Sequence, residues 1–197
     1  ILAALVTGKL IPTSEIHTEG IVNIRSEDVK AAASVGHIIR LLGRAIIADE
    51  GIHIMVAPFL VPSTAALATV AGVYNAVEVI GDPIGNVMFY GPGAGGGTTS
   101  SAVIGDLMQI MRTGSSAAQP TFEKHPEAML PFASFVSQNY IAISGGCENC
   151  VREAFGDVQF IDAVGECAFI TAKMSETDAD AAIKRLTDKG IKILSRI

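Results

Sequence analysis

The order of elements in the last third of the chain constrains its fold most. Four apolar stretches predict strands, and two amphipathic stretches with acidic first turns predict helices. In chain order these elements cover residues 139–144, 148–155, 158–164, 167–174, 176–189 and 191–196. The first, third, fourth and sixth are the strands, so the order is βαββαβ. That order is typical of the ferredoxin-like arrangement.

Two serines stand where helices are expected to begin. Ser26 and Ser175 each precede two acidic residues within the next three positions. A serine hydroxyl at the N-cap accepts a hydrogen bond from a backbone N–H, and acids suit the positive end of the helix dipole. The sequence therefore predicts helices capped by Ser26 and Ser175. The acids of the first helix, Glu27 and Asp28, are expected to face solvent.

The middle of the chain reads as a series of strands. Apolar stretches separated by turn signals cover residues 37–48, 52–59, 73–80 and 84–90. The segments Asp49-Glu50-Gly51 and Gly81-Asp82-Pro83 are typical turns. We therefore expect an α+β fold, with a mixed or antiparallel sheet that has helices on one face, followed by the ferredoxin-like βαββαβ domain.

Composition excludes several classes of protein. Hydrophobic residues make up 49% and charged residues 17%, a balance opposite to that of disordered chains. It also suggests that a partner covers some apolar surface. The net charge of −6 disfavours nucleic acid. No apolar run reaches the roughly 18–20 residues of a membrane span, so we expect no membrane partner.

A glycine-rich segment, residues 91–97, lies between a predicted strand and a predicted helix over about 100–111. Glycines let the backbone approach a ligand closely, and free N–H groups at a helix N-terminus bind anions. The segment has neither the lysine of a Walker loop nor the spacing of a Rossmann fingerprint. A flexible connection between two subdomains is therefore an equally good interpretation.

The pair Cys147 and Cys150 opens a predicted helix and leaves three alternatives open. Such a pair supports redox chemistry, or it supplies half of a zinc site. No second ligand pair follows, because Cys167 stands alone and the four histidines are scattered. Two thiols packed at a helix start are the simplest interpretation. We predict no metal site.

Several spaced motifs together resemble homoserine dehydrogenase. They are Asn75-Ala76-Val77, Gly81-Asp82, Gly85, the run Phe89-Tyr90-Gly91-Pro92-Gly93-Ala94-Gly95, Thr99, Ser101-Ala102-Val103 and Asp106, with Glu19-Gly20-Ile21 and Leu60-Val61-Pro62 earlier. The likeness covers residues 1 to about 112. It implies NAD(P)-dependent interconversion of L-homoserine and L-aspartate 4-semialdehyde for threonine and methionine biosynthesis. It also implies a cytoplasmic homodimer or higher homo-oligomer.

The resemblance implies roles for particular residues. Gly95 matches the family's glycine that contacts the NAD or NADP cofactor, and Gly93, Ala94 and Thr99 are its neighbours. The family's catalytic lysine would lie upstream of Ile1, so no catalytic residue is assigned and Lys9 is not that lysine. The chain then reads as a fragment without the family's Rossmann domain, expected to be inactive by itself.

The domain prediction follows from the same resemblance. Residues 1–112 correspond to the catalytic and dimerisation region, 113–131 to a linker, and 132–197 to an ACT-like regulatory domain. A threonine effector would bind near Gly145, Gly146 and Asn149. The alternative function is an amino-acid-binding regulatory or oligomerisation module without catalysis.

Overall fold

The computed structural model describes residues 1–114, 121–124, 129–145, 147–163 and 166–197. Much of the predicted linker 113–131, and Gly146, lie outside this part. The chain forms two compact units: Ile1–Pro62 with Phe122–Ile197, and Ser63–Thr121. These units do not coincide with the predicted boundaries at 112 and 132. The α+β class is confirmed.

Five α-helices and eleven strands are found in the described part of the chain. The helices are α1 (Leu2–Thr7), α2 (Ser26–Ser34), α3 (Gly96–Thr113), α4 (Glu148–Phe155) and α5 (Glu176–Asp188). The strands are β1 (His17–Thr18), β2 (His37–Ala48), β3 (Gly51–Pro62), β4 (Tyr74–Gly81), β5 (Gly85–Pro92), β6 (Val136–Ser137), β7 (Tyr140–Ile143), β8 (Val158–Ala163), β9 (Glu166–Thr171), β10 (Met174–Ser175) and β11 (Ile193–Arg196). None of the described helices combines the length and apolarity needed to cross a membrane.

The first sheet is mixed, with strand order β1-β3-β2. Strands β2 and β3 form a long antiparallel hairpin, in register from His37 opposite Pro62 to Ala48 opposite Gly51. The short strand β1 pairs with β3 in parallel. The hairpin closes at Asp49 and Glu50, where the sequence predicts a turn.

The hairpin of β4 and β5 lies in a separate two-stranded sheet. We expected it to belong to the same sheet as residues 37–59, and that expectation is wrong. The hairpin runs from Tyr74 opposite Pro92 to Gly81 opposite Gly85. Its turn brings the two strands together locally, so the pairing requires no strand from another hairpin. Sequence periodicity therefore identifies the strands but not their sheet.

The ferredoxin-like order is confirmed in the C-terminal part. Its four-stranded sheet has the order β11-β7-β9-β8, and every neighbouring pair is antiparallel. Helix α4 connects β7 to β8, and α5 lies between β9 and β11 in sequence. The core between the sheet and these helices contains fully buried Ile141, Ile143, Phe169, Val151 and Leu186.

Helix α2 packs on the same sheet through the other side chains of β7. Successive residues of a strand point to opposite faces. Tyr140 and Ala142 therefore join Ala31 of α2 in a second cluster, while Ile141 and Ile143 belong to the first. This contact explains why residues 1–62 group with the C-terminal part. The assignment of residues 1–112 and 132–197 as domains stays a prediction.

One of the two predicted serine caps is present and the other is not. Ser175 caps α5, and its Oγ accepts a hydrogen bond from the backbone N–H of Asp178 at 3.1 Å. Ser26 is not a cap, because Arg25 is the N-cap residue of α2. The backbone N–H of Arg25 donates to the Asp28 carboxylate at 2.9 Å. That carboxylate, from the third helical residue, satisfies the backbone N–H of the N-cap residue itself.

Candidate functional site

The glycine loop connects β5 to α3, which places the predicted cofactor residues together. Strand β5 ends at Pro92 and α3 begins at Gly96, so Gly93, Ala94 and Gly95 make the whole connection. These three residues and Thr99 are exposed. The helix starts four residues earlier than predicted, and Thr99 therefore lies in its first turn.

Gly93 occupies a position that leaves no room for a side chain. The backbone N–H of Gly93 donates to the carbonyl oxygen of Val73 at 3.2 Å, which holds the loop beside the beginning of β4. A Cβ atom at Gly93 would lie 1.5 Å from Nδ2 and 2.7 Å from Cγ of Asn75. Because glycine has no Cβ, the loop can pass this close to the asparagine.

Gly95 is the N-cap residue of α3 and has a φ of +132°, which L side chains rarely adopt. Its carbonyl oxygen accepts the backbone N–H of Thr99 at 3.0 Å and the hydroxyl of Thr98 at 2.9 Å. No acidic residue lies in the first turn of α3. The first N–H groups of a helix have no intrahelical acceptor and carry positive partial charge. This end of α3 therefore suits a phosphate or a carboxylate.

The predicted apolar stripe of α3 is exposed, since the helix has no buried residue within the part of the chain described. Its members are Val103, Ile104, Leu107, Met108 and Met111, with exposed fractions from 47% to 84%. Monomers rarely expose contiguous apolar surface of this kind without a partner. The stripe is therefore a surface suited to association.

Asp28 forms a buried polar site that the sequence did not reveal, and the expectation that it faces solvent is wrong. Its side chain is fully buried. Oδ1 accepts hydrogen bonds from Ser195 Oγ at 2.6 Å, Tyr140 Oη at 3.0 Å and Arg25 Nη2 at 2.7 Å. Arg25 also pairs with Glu166 at 2.8 Å. Apart from Arg25, these residues lie on β7, β9 and β11, so no pattern in the local sequence indicates the site.

Burial and hydrogen bonding at this site shift the pKa values of Asp28 and Tyr140. Burial acts to raise the pKa of Asp28, but the hydrogen bonds from Arg25, Ser195 and Tyr140 outweigh it and hold the pKa below its ordinary value. Burial and the neighbouring carboxylate raise the pKa of Tyr140. Asp28 is therefore a charged group that links α2 to the C-terminal sheet.

Comparison with known proteins identifies the family. The sequence profile of the homoserine dehydrogenase family matches residues 1–108, more than half of the chain. The chain belongs to the homoserine dehydrogenase family. The resemblance carried by the Phe89 to Gly95 run is thereby confirmed.

Curated members of the family match most of this chain. The homoserine dehydrogenase of Synechocystis is 38% identical over 213 aligned residues, which include 95% of this chain and 49% of that protein. The Pseudomonas aeruginosa enzyme is 36% identical over 151 residues, 73% of this chain and 35% of that protein. The chain therefore spans about half the length of the Synechocystis relative.

Solved structures agree with the fold. A homoserine dehydrogenase from Thiobacillus denitrificans superimposes with a TM-score of 0.81 at 28% identity and covers all of this chain and 50% of its own. A Staphylococcus aureus homoserine dehydrogenase at pH 7.5 reaches 0.75 at 24% identity. Both matches extend through the ferredoxin-like sheet, which lies beyond the segment matched by the family profile.

Proposed function

We propose that this chain takes part in the NAD(P)-dependent interconversion of L-homoserine and L-aspartate 4-semialdehyde, and that the loop from Gly93 to Thr99 contacts the dinucleotide. The observation that supports the proposal most is the start of α3, where the exposed glycine loop leads into a first turn without acidic residues. A bound NAD or NADP supplies the group that exchanges hydride with the substrate. The proposal places this reaction in the cytoplasm, in threonine and methionine biosynthesis.

Each residue of the loop has a distinct part in this proposal. Gly93 lets the loop pass against Asn75, Gly95 leaves the backbone open to close approach, and Ala94 adds only a methyl group between them. The first N–H groups of α3 face negatively charged oxygens of the dinucleotide. The hydroxyl of exposed Thr99 is a hydrogen-bond donor one turn into the helix. In this proposal the part played by the chain is to position the dinucleotide.

The proposal also includes association of two copies. Apolar side chains are exposed on the β4–β5 hairpin as well as on α3, including Phe89 at 65% and Ile80 at 71% exposure. Burying such surface is the main driving force of association. We therefore propose a homodimer, in which another copy or another part of the enzyme covers these faces.

The activity is tested with a fusion. The chain is joined to the part of the Synechocystis enzyme that it does not match, and oxidation of L-homoserine is followed with NAD and with NADP. We expect turnover by the fusion, which should sediment as a dimer, and none by the chain alone. Lys9→Ala should leave turnover by the fusion unchanged, because that lysine is not assigned a catalytic role.

Two outcomes contradict the proposal. A fusion with native circular dichroism that binds neither dinucleotide nor homoserine would remove the assigned role of this chain. Turnover by the chain alone would show that the catalytic group lies within residues 1–197.

A second candidate function is amino-acid binding by the C-terminal domain. Its supporting observation is the βαββαβ topology, which the ACT-like resemblance requires. The residues predicted to lie near an effector include Gly145, which has a φ of +76°, and exposed Asn149 in α4. We propose threonine as the effector at this end of β7.

Thermal unfolding with threonine, methionine and other amino acids tests the second candidate. A ligand present at about 100 times its Kd adds about 2.7 kcal/mol to the stability of the folded state. We expect threonine to raise the melting temperature and Asn149→Ala to abolish the rise. Absence of a shift at saturating concentrations would leave the domain with a role in assembly only.

A further inference from the structure

The two cysteines at the start of α4 take no part in the proposed reaction. Cys147 is the N-cap residue of α4 and Cys150 lies in its first turn. Their sulfur atoms form a disulfide, with the Cα atoms 5.2 Å apart. The sequence left redox chemistry, half of a zinc site and simple packing open. The structure shows the pair in the oxidised form that a redox pair adopts.

We propose that Cys147 and Cys150 form a reversible thiol–disulfide switch that exchanges with a protein dithiol of the thioredoxin class. The bond closes a loop of only three residues in sequence separation. Loops this short gain the least stability from a disulfide, so stabilisation is a poor reason for the bond. In the proposed cytoplasmic location, a protein disulfide is usually transient, catalytic or redox-sensing.

The two cysteines are both partly exposed but differ in what they pack against. Cys150 packs against the core cluster that contains fully buried Val151 and Phe169. Cys147 is partly exposed at the helix start, and the two residues between the cysteines, Glu148 and Asn149, are exposed. An incoming thiolate can therefore reach Cys147 more easily, and access decides which sulfur is attacked.

The helix start stabilises a thiolate at Cys147. The backbone N–H of Cys150 donates to Cys147 Sγ at 3.2 Å, as an N-cap acceptor requires. The positive end of the helix dipole also favours negative charge on that sulfur. The carboxylate of Glu148 in the same turn acts in the opposite sense. Cys147 is therefore the cysteine of the pair that is both easier to reach and better able to carry negative charge.

The exchange is balanced as follows. A thiolate of the reductant attacks Cys147 Sγ, the bond to Cys150 breaks, and Cys150 leaves as a thiolate that takes up a proton. The second thiolate of the reductant attacks its own sulfur in the mixed disulfide and releases Cys147 as a thiolate, which is protonated in turn. Two electrons and two protons pass to this chain, and the reductant becomes a disulfide.

Cys167 provides an internal control. It lies half-buried on β9, where burial and then the Glu148 carboxylate raise its pKa. Both effects keep it a thiol, which is the unreactive form. Cys167 is therefore expected to remain reduced throughout and to react slowly with thiol reagents.

The test uses the complete chain equilibrated with mixtures of reduced and oxidised dithiothreitol, followed by thiol trapping and mass spectrometry. We expect Cys147 and Cys150 to become reactive together. The fraction of chains with a reduced pair should rise from one tenth to nine tenths over about an 80-fold change in the ratio of reduced to oxidised dithiothreitol. Cys147→Ser should abolish the transition, and Cys167→Ser should leave its midpoint unchanged. Circular dichroism confirms that each variant is folded.

The partner class is tested by rate and by trapping. Reduced thioredoxin should open the bond at least about tenfold faster than glutathione at equal thiol concentration, since a dithiol resolves its own mixed disulfide. A thioredoxin without its second cysteine should remain bound to Cys147. A folded chain in which the pair stays entirely oxidised or entirely reduced across the series overturns the proposal, as does equal reduction by the two reagents. The readouts do not depend on dehydrogenase activity.

Discussion

Asp28→Ala is expected to destabilise the unit that contains α2 and the C-terminal sheet by about 3 kcal/mol. Removing one partner of a buried ion pair costs about 3–5 kcal/mol, because the other partner keeps an uncompensated charge. The lower end applies here, since Arg25 keeps Glu166 and its side chain is 26% exposed. Tyr140 and Ser195 also lose a shared acceptor. Urea unfolding of the chain measures the change.

Glu27→Ala is the matched control for this prediction. Glu27 precedes Asp28 in the same first turn of α2, but it is exposed, and its carboxylate accepts local hydrogen bonds from its own backbone N–H and from the hydroxyl of Ser26. Exposed substitutions of this kind change stability by no more than about 0.5 kcal/mol. Equal losses for the two variants would show that the buried network contributes little.

The contribution of Asp28 depends on pH. Its pKa in the folded chain lies below the ordinary aspartate value of about 3.9. Between these two values the unfolded chain binds more protons, so the stabilisation is present above pH 4 and is lost as pH falls through the lowered pKa. The difference in unfolding free energy between the parent chain and Asp28→Asn should therefore shrink in acid. A difference that stays constant or grows would contradict the assignment.

Gly93→Ala, made in the fusion enzyme, is expected to raise the KM for the dinucleotide about tenfold or more. The new Cβ would lie 1.5 Å from Asn75 Nδ2, so the loop or the asparagine must move. A displacement of about 1 Å in a positioning element can reduce the rate 100-fold. Steady-state kinetics with NAD and NADP at saturating homoserine measure the effect.

The double variant Asn75→Ala/Gly93→Ala tests whether the clash with Asn75 causes the loss of affinity. Asn75→Ala removes Nδ2 and Cγ and leaves Cβ of residue 75 at 3.5 Å from the Cβ of residue 93, an ordinary contact. The double variant should recover most of the lost affinity. Gly105→Ala is the control, because its Cβ would meet nothing within 4 Å, and it should strengthen α3 by about 1 kcal/mol without changing KM. An unaffected single variant would remove the loop from the proposed site.

Local patterns predicted the elements of this chain well, for reasons visible in particular residues. The alternation of apolar residues and the turn at Asp49 and Glu50 specify the hairpin of β2 and β3, because both signals act between residues close in sequence. Ser175 lies directly before α5 and caps it. The glycine loop was recognised from its run of residues, but the contact of Gly93 with Asn75 depends on the pairing of β4 with β5.

The sequence by itself determined the α+β class, the βαββαβ order and the family, since each depends on local periodicity or on a contiguous motif. Only the tertiary structure decided that the two hairpins lie in separate sheets and that α2 packs against β7. It also decided that Asp28, three positions after its N-cap, is buried and not solvated. The partners of that carboxylate, Tyr140 and Ser195, are 112 and 167 positions away along the chain. No local rule specifies contacts between residues so distant, because burial and long-range pairing exist only after the sheet has formed.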